Sequence, residues 1–281
     1  MRTSEWIQAG FAVILTVAAW LLWLPAPRRW ITTLLAAFAL CAIAAARYSI
    51  HFLTPLQTSI LRDWLPVVLL LVPYWQTGQF FMGPSESFQT WLIETDRWLL
   101  KAIAPAAASM SKPLRLTMEF AYLSCYPIVP LGLAALYAAG HRADSAAFWF
   151  LVLVPTYLCY AITPFFPALP PRSLSTQQLI VPSRNPGRSL NLQILKYGSI
   201  QAISFPSAHV ASSLGVAFVL LLFAPLAGVI FLIVAIAIAI AAVAGGYHYA
   251  IDVLLGAALA IIVFAIWLSH LIPTTLLAVV F

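Results

Sequence analysis

Long apolar runs limit this chain to one class of protein. A helix that crosses ~30 Å of hydrocarbon needs roughly 20 mostly apolar residues, and such runs recur here between Pro, Gly and charged residues. They lie at about 6–24, 30–50, 61–77, 116–139, 145–166, 206–225, 227–245 and 248–270. With 63% hydrophobic and 8% charged residues, the chain lacks the polar surface of a soluble protein. The sequence therefore predicts an all-α, multi-pass integral membrane protein.

The third and the first apolar runs differ from typical membrane spans. The run at 61–77 is the shortest and carries Arg62 and Asp63 at its start, so seven spans are the alternative to eight. We interpret Asp63 as a helix-start charge. The first run is longer than the apolar core of a secretion signal, and no small-residue cleavage pattern follows it before Pro25. We therefore expect it to be a retained membrane span.

Two long connections separate the runs. Residues 78–115 mix charged and apolar residues at helical spacing, which predicts an amphipathic helix at about 88–112 on the membrane surface. Asp96, next to Arg97, is interpreted as part of its solvated face. The second connection, 167–205, is predicted to be a loop. With eight spans, both connections and the beginnings of the sixth and eighth spans lie on the same side of the membrane.

The net charge of +6 fits the same class of protein. In a membrane protein, a basic excess indicates loops near anionic headgroups or phosphate sites. No run of Lys and Arg suggests a nucleic-acid partner. The three cysteines, Cys41, Cys125 and Cys159, lie within apolar runs, and their odd number argues against a disulfide framework or a metal cluster.

The stretch Gly246-Tyr-His-Tyr-Ala-Ile-Asp252 carries charge at the beginning of the last apolar run. An ionisable residue at the edge of the bilayer is costly and suggests a functional site. His248 and Asp252 are four residues apart, about one helical turn, so their side chains can bond. Asp252 can accept the proton of one ring nitrogen, which leaves the other nitrogen of His248 free as a base or nucleophile. Alone, this spacing is a weak signal.

A second motif, Ser204-Phe-Pro-Ser-Ala-His209, begins the sixth run. Pro206 suits the start of a helix, where Ser207 and free backbone N–H groups favour an anion. His209 can supply a proton to a leaving group. Cations that could bind phosphate on the same side are Arg172, Arg184, Arg188 and Lys196. Individually, the last three are explained more simply as headgroup anchors. Together, the two motifs predict a site for nucleophilic displacement at phosphorus.

These residues resemble a known family. The sequences Phe205-Pro-Ser-Ala-His209 and His248-x-x-x-Asp252 are similar to the second and third signature motifs of the type-2 phosphatidic acid phosphatase superfamily. Pro171 and Arg172 resemble part of its first motif in reversed order. The resemblance covers about residues 61–270, and it implies a six-helix catalytic domain at 61–281 that follows two additional transmembrane helices at 1–60.

The resemblance also implies a mechanism. His248 would form a phosphohistidine and Asp252 would orient it, while His209 would protonate the leaving group. Arg172 and Ser207 would hold the phosphate oxygens, and no metal or organic cofactor is implied. The implied partners are a lipid phosphate or phospholipid substrate and the surrounding membrane lipids, in the cell membrane if the protein is bacterial. The oligomeric state stays open.

The chain also departs from the family pattern. Phe165 and Ala242 stand near the positions of the first-motif Lys and the third-motif Arg, and Ala208 replaces a Gly. In this respect the chain looks more like the branch of inositol phosphorylceramide synthase and sphingomyelin synthase. Three hypotheses therefore remain: a lipid phosphatase, a phospho-headgroup transferase, and a non-enzymatic transporter or scaffold. The lost charges could be replaced by Arg184, Arg188 or Lys196.

One further acidic residue is ambiguous. Glu119 lies near the start of the fourth run, one helical turn before Tyr122. It fits equally well a residue that faces the site and a hydrogen-bonded structural residue.

Overall fold

A computed structural model describes residues 1–174 and 185–271, and this part of the chain is helical without β-strands. Its α-helices are α1 Thr3–Leu21, α2 Ala26–Tyr48, α3 Pro55–Leu69, α4 Leu71–Gly78, α5 Glu86–Leu100, α6 Ala104–Ala108, α7 Lys112–Leu123, α8 Ile128–Ala138, α9 Ser145–Ile162, α10 Pro186–Gly198, α11 Ala208–Phe223, α12 Pro225–Ala244 and α13 Ala250–Leu271. Short 3₁₀ turns occur at Ser49–His51, Arg142–Asp144, Thr163–Phe165 and Pro171–Ser173. The all-α prediction is confirmed.

Several helices have the length and composition of membrane spans. Within the described residues, six segments qualify on their own: Thr3–Leu21, Ala26–His51, Pro55–Gly78, Arg142–Phe165, Pro225–Ala244 and Ala250–His270. Helices α7 and α8 qualify as a bent pair, and the apolar α11 is shorter, with 16 residues. Each predicted apolar run corresponds to one of these helices or helix pairs. The assignment as a multi-pass membrane protein is confirmed.

The fourth predicted span is broken. The sequence suggested one helix over 116–139, but α7 and α8 meet at an angle of 72°. Pro127 lies directly before α8. Proline has no backbone N–H and disfavours a helical conformation in the residue before it, so α7 cannot continue through this point. The break brings Tyr126 to the side of the bundle that carries the two motifs.

Both long connections contain helices. The first holds α5 and the short α6 instead of the single predicted surface helix at 88–112. The prediction of a loop over 167–205 is wrong for residues 186–198, which form α10. Asn185 caps this helix, since its Oδ1 accepts the backbone N–H of Arg188 at 2.8 Å, and Pro186 takes the first helical position. Local capping signals therefore create a helix, which packs against α7.

Helix α11 lies at the centre of the bundle and packs against α9, α12 and α13. Its beginning touches α13 closely at Gly256, where a Cβ atom would lie 2.4 Å from the carbonyl oxygen of Ser207. Any larger side chain would push the two helices apart. Gly256 therefore lets the beginnings of α11 and α13, which carry the two motifs, lie side by side.

The two N-terminal helices pack on the remaining bundle. Small side chains such as Ala12 and Ala39 form a close contact between α1, α2 and the α3–α4 segment. The Gln76 side chain donates to the backbone oxygens of Ala12 at 3.1 Å and of Thr32 at 2.9 Å. Phe11 stacks on Tyr157 of α9 at a centroid distance of 4.7 Å. These contacts place α1 against the core helices as well as against α2.

Buried ion pairs occupy the opposite end of the bundle from the motifs. Arg62 donates to both oxygens of Glu5 at 2.6 and 2.9 Å, and Glu5 is 1% exposed. Asp63 pairs with Arg2 and with Arg142. The interpretation of Asp63 as a helix-start charge is wrong, because α3 begins eight residues earlier and the carboxylate is 4% exposed. Its partners come from distant parts of the chain, so local sequence could not reveal them.

Candidate active site

His248 and Asp252 form a hydrogen-bonded pair at the beginning of α13. Nδ1 of His248 lies 3.0 Å from Oδ1 of Asp252, and the two side chains are 5% and 0% exposed. A carboxylate only accepts hydrogen bonds, so this contact forms with the proton on Nδ1, and in a neutral ring the lone pair then lies on Nε2. The second oxygen of Asp252 accepts the backbone N–H of Tyr249 at 3.1 Å. The carboxylate is therefore fixed both by the histidine and by the start of the helix.

The beginning of α11 faces this pair. The ring centroids of His209 and His248 lie 5.7 Å apart, and the ring planes are nearly perpendicular at 88°. The backbone N–H of Ser207 donates to the backbone oxygen of Asp252 at 3.0 Å. The Ser207 hydroxyl is buried and finds no partner among the described residues. Because an unpaired buried hydroxyl is costly, we infer that it is available to an oxygen of a ligand.

Arg172 lies beside the turn that leads to His248. Its backbone N–H donates to the oxygen of Gly246 at 2.8 Å, and its Nη1 donates to the oxygen of Tyr247 at 3.4 Å. Burial lowers the pKa of its guanidinium from the ordinary value, but an arginine stays charged at neutral pH. The structure thus places a partly buried cation next to the predicted nucleophile.

The structure separates the other predicted cations. Arg188 is buried at 9% exposure, and it contacts Glu119 and the ring of Tyr247. Lys196 is exposed in the last turn of α10, where its Nζ lies 5.3 Å from the ring centroid of Tyr197. Arg184 lies outside the described residues. Of the two candidates that the structure describes, Arg188 is the one placed next to the turn that carries His248.

Aromatic rings form one wall of the site that sequence reasoning did not identify. Tyr122 stacks on Tyr247 at 3.7 Å, with an angle of 8° between the rings. Tyr122 and Tyr126 each approach His209 at a centroid distance of 6.1 Å. The four-residue spacing of the two tyrosines could have indicated a shared helix face. The break after α7 could not be foreseen from that spacing.

Helix α5 braces the motif that carries His248 and Asp252. The backbone N–H of Ala250 donates to Oδ1 of Asp96 at 2.6 Å, so Asp96 caps α13 from another helix. Gln89 bonds the Tyr249 hydroxyl and accepts the backbone N–H of Leu169 at 2.8 Å. Burial raises the pKa of Asp96 to about 7, and the nearby Asp252 adds to the increase. The interpretation of Asp96 as a solvated charge is wrong.

An apolar cavity of about 270 Å³ lies next to His209. His209 and Ser212 of α11 line it, and its other walls come from α4, α8, α9 and α10 and from the breaks between α3 and α4 and between α7 and α8. They include Leu70, Tyr74, Cys125, Val129, Thr156 and Leu195. The cavity therefore connects a polar, histidine-containing centre with a hydrocarbon-like environment.

The structure also describes the surroundings of Ala242 and Phe165, the two positions that lack the cations of the family pattern. Ala242 is completely buried, and its backbone oxygen accepts the N–H groups of Tyr247 at 2.8 Å and of His248 at 3.0 Å. Phe165 is 76% exposed at the end of the segment that contains α9. Neither position carries a charge that could contact phosphate.

Fold and site together define a polytopic membrane protein with a His–Asp pair, a second histidine and an arginine at one end of its helical bundle. A sequence model of the PAP2 superfamily matches residues 90–266, which is more than half of the chain. The protein therefore belongs to the PAP2 superfamily, the type-2 phosphatidic acid phosphatases suggested by the motifs. No curated protein and no solved structure matches the chain. Membership supports a phosphatase or phosphotransferase family.

Proposed function

We propose that this protein cleaves or transfers the phosphoryl group of a lipid phosphate or phospholipid through a phosphohistidine on His248. One observation carries the proposal: His248 is bonded through Nδ1 to Asp252, and His209 faces it at 5.7 Å. This arrangement combines a nucleophile, the group that orients it and a proton donor within one small site. A lone structural His–Asp pair would not require the second histidine.

In the first half-reaction, the lone pair on Nε2 of His248 forms a bond to phosphorus. The bond from phosphorus to the leaving oxygen breaks, and His209 donates its proton to that oxygen. Asp252 stabilises the positive charge that develops on the His248 ring. Arg172, the Ser207 hydroxyl and the backbone N–H groups at the start of α11 bind the non-bridging oxygens, which carry the negative charge.

In the second half-reaction, water or an acceptor alcohol attacks the phosphorus of the phosphohistidine. His209, now neutral, takes the proton of the attacking oxygen, and the bond from phosphorus to Nε2 of His248 breaks. The ring returns to its starting state, and His209 is protonated again for the next turnover. Hydrolysis and transfer thus share the first half-reaction and differ only in the acceptor.

The apolar cavity favours a lipid as the leaving group. His209 must lie next to the leaving oxygen, and the 270 Å³ cavity opens at the same residue. A group the size of a water molecule occupies ~30 Å³. The cavity therefore has room for roughly nine such groups, which is enough for part of one hydrocarbon chain. A sugar or nucleotide leaving group would leave its polar atoms unpaired there.

Phosphate release from a panel of lipid phosphates and diphosphates tests this proposal. The wild-type protein is expected to release phosphate from at least one of them, whereas His248→Ala is expected to be inactive. A variant without His248 that turns over at the wild-type rate would refute the assignment.

A second candidate is phospho-headgroup transfer between lipids. It is favoured by Ala242 and Phe165, because a doubly charged phosphate monoester would meet fewer cations here than in a site with the full family motifs. Substrates with a singly charged phosphodiester need less positive charge. A purified preparation that forms product only when an acceptor alcohol or lipid is added would identify the transferase. Phosphate release in water without an acceptor would identify the hydrolase.

A further inference from the structure

The turn that precedes His248 is held by contacts from outside its own helix. Between α12 and α13, residues 245–249 are not helical. The three consecutive backbone oxygens of Gly245, Gly246 and Tyr247 accept hydrogen bonds from Arg188 Nη1, from the Arg172 backbone N–H and from Arg172 Nη1, respectively. Both arginines belong to the connection between α9 and α11. The orientation of the nucleophile therefore depends on how this connection is anchored.

Glu119 anchors the second half of the connection between α9 and α11, which contains α10. Its carboxylate is 5% exposed and lies 3.6 Å from Nη1 of Arg188. Oε2 of Glu119 accepts hydrogen bonds from Asn191 Nδ2 at 2.7 Å and from the Tyr247 hydroxyl. Asn191 also donates to the Glu119 backbone oxygen at 2.9 Å. One buried carboxylate thus holds two side chains of α10 and one residue of the turn.

The backbones are arranged for this contact. A Cβ atom at Gly187 would lie 2.8 Å from Cβ of Glu119, so α10 approaches α7 closely only because this position has no side chain. The Arg188 guanidinium lies over the Tyr247 ring at 4.7 Å. Tyr122 lies one helical turn after Glu119, and its ring stacks on the Tyr247 ring at a centroid distance of 3.7 Å. Tyr247 is therefore fixed by its hydroxyl and through its ring.

We propose that Glu119 is a positioning residue for His248, acting through Arg188 and Tyr247. The inference rests on the proposed function, since it assigns a role in orienting the nucleophile. Arg188 then serves the site by fixing the backbone of the turn, with its charge balanced by Glu119. This explains how a buried arginine can lie close to the site without being a headgroup anchor. It also explains why Tyr247 is buried directly before the nucleophile.

Orthovanadate is a suitable probe, because it mimics a phosphoryl group in transfer and needs no knowledge of the lipid. Its affinity is measured for the purified wild type, Glu119→Gln, Arg188→Gln and the double variant, together with the thermal midpoint of unfolding of each. Glu119→Gln keeps the size of the side chain but removes its charge. A displacement of a reacting group by about 1 Å can cost about 100-fold in rate, and we expect vanadate affinity to fall by roughly 10- to 100-fold in all three variants.

The double variant distinguishes positioning from stability. Each single variant leaves one buried charge without its partner, whereas the double variant removes both charges and recovers stability. Vanadate affinity stays low in the double variant if the contact orients His248. If affinity recovers together with stability, Glu119 has only a structural role and the inference is overturned. Tyr247→Phe, which loses one hydroxyl and keeps the ring stack, tests the same link if Glu119→Gln does not fold.

A matched control lies at the other end of the bundle. Glu5 is equally buried and bonds Arg62 with both oxygens, so Glu5→Gln should lower the midpoint of unfolding without changing vanadate affinity. An equal loss of affinity in Glu5→Gln, or none in Glu119→Gln, would overturn the inference. A wild type that binds no vanadate, or a His248→Ala variant that binds it equally well, would instead refute the proposed function.

Discussion

Replacement of Asp252 by Asn separates the charge of this residue from its shape. Asn keeps an oxygen that can accept the Tyr249 N–H, so the turn before α13 retains this hydrogen bond. The amide presents an N–H group to Nδ1 of His248, which favours the tautomer with the proton on Nε2. That tautomer has no lone pair at the atom that must attack phosphorus.

The size of the effect follows from burial. Asp252 is 0% exposed and bonds His248 at 3.0 Å, so water cannot take the place of the lost carboxylate. The equivalent change behind the histidine of a serine protease costs about 10⁴ in kcat. We expect a loss of about 10³ to 10⁴ in kcat, which corresponds to ~4–5.5 kcal/mol at 1.36 kcal/mol per tenfold.

The assay measures product formation under single-turnover conditions, with the substrate that the wild type turns over best. Asp63→Asn is the control, because Asp63 is also a buried, paired aspartate but lies at the opposite end of the bundle. This control should reduce stability and leave kcat within about twofold, since distant sites behave independently. An Asp252→Asn variant within tenfold of the wild type would show that the carboxylate does not set the tautomer of His248.

Three further predictions concern the surroundings of the site. Because the pKa of Asp96 is raised to about 7 in the folded protein, the folded state binds this proton more tightly than the unfolded state. The resulting stability is complete below about pH 3.8 and is lost as the pH rises through about 7, so the thermal midpoint should fall from pH 6 to 8 in the wild type and less in Asp96→Asn. Gly256→Ala should destabilise the protein by ~1–3 kcal/mol and lower kcat, whereas Gly10→Ala, with nothing within 4 Å of the added Cβ, should do neither; equal effects would refute the close-approach argument. Val129→Phe should narrow the cavity and lower activity on long-chain phosphatidic acid more than on a short-chain analogue, and an equal loss on both would mean that the chain binds elsewhere.

The sequence predicted what local periodicity and motif spacing determine. The apolar runs matched helices because crossing a membrane requires a minimum length of apolar helix. His248 and Asp252 could be paired because four residues make about one turn. The prediction that His209 and His248 lie side by side depended on the number of membrane spans between them. The structure brings the two rings together.

The remaining features depend on contacts between distant parts of the chain. The sequence pattern placed Asp96 on an exposed helix face. It gave no sign that the backbone N–H of Ala250, 154 residues further along the chain, would donate to its carboxylate. Arg188 looked like a headgroup anchor because its partner, Glu119, belongs to another helix. Helix α10 was missed because its apolar content is low, although Asn185 and Pro186 are typical of a helix start. Long-range polar pairs of this kind are not visible in one sequence.

Identification of the phosphorylated residue tests the central claim most directly. The purified protein is mixed rapidly with its best lipid substrate, quenched at alkaline pH to preserve phosphohistidine, digested, and analysed by mass spectrometry. We predict a phosphoryl group on His248 that disappears when the sample is acidified and does not form in His248→Ala. A phosphoryl group on another residue, or a covalent intermediate that persists without His248, would contradict the account.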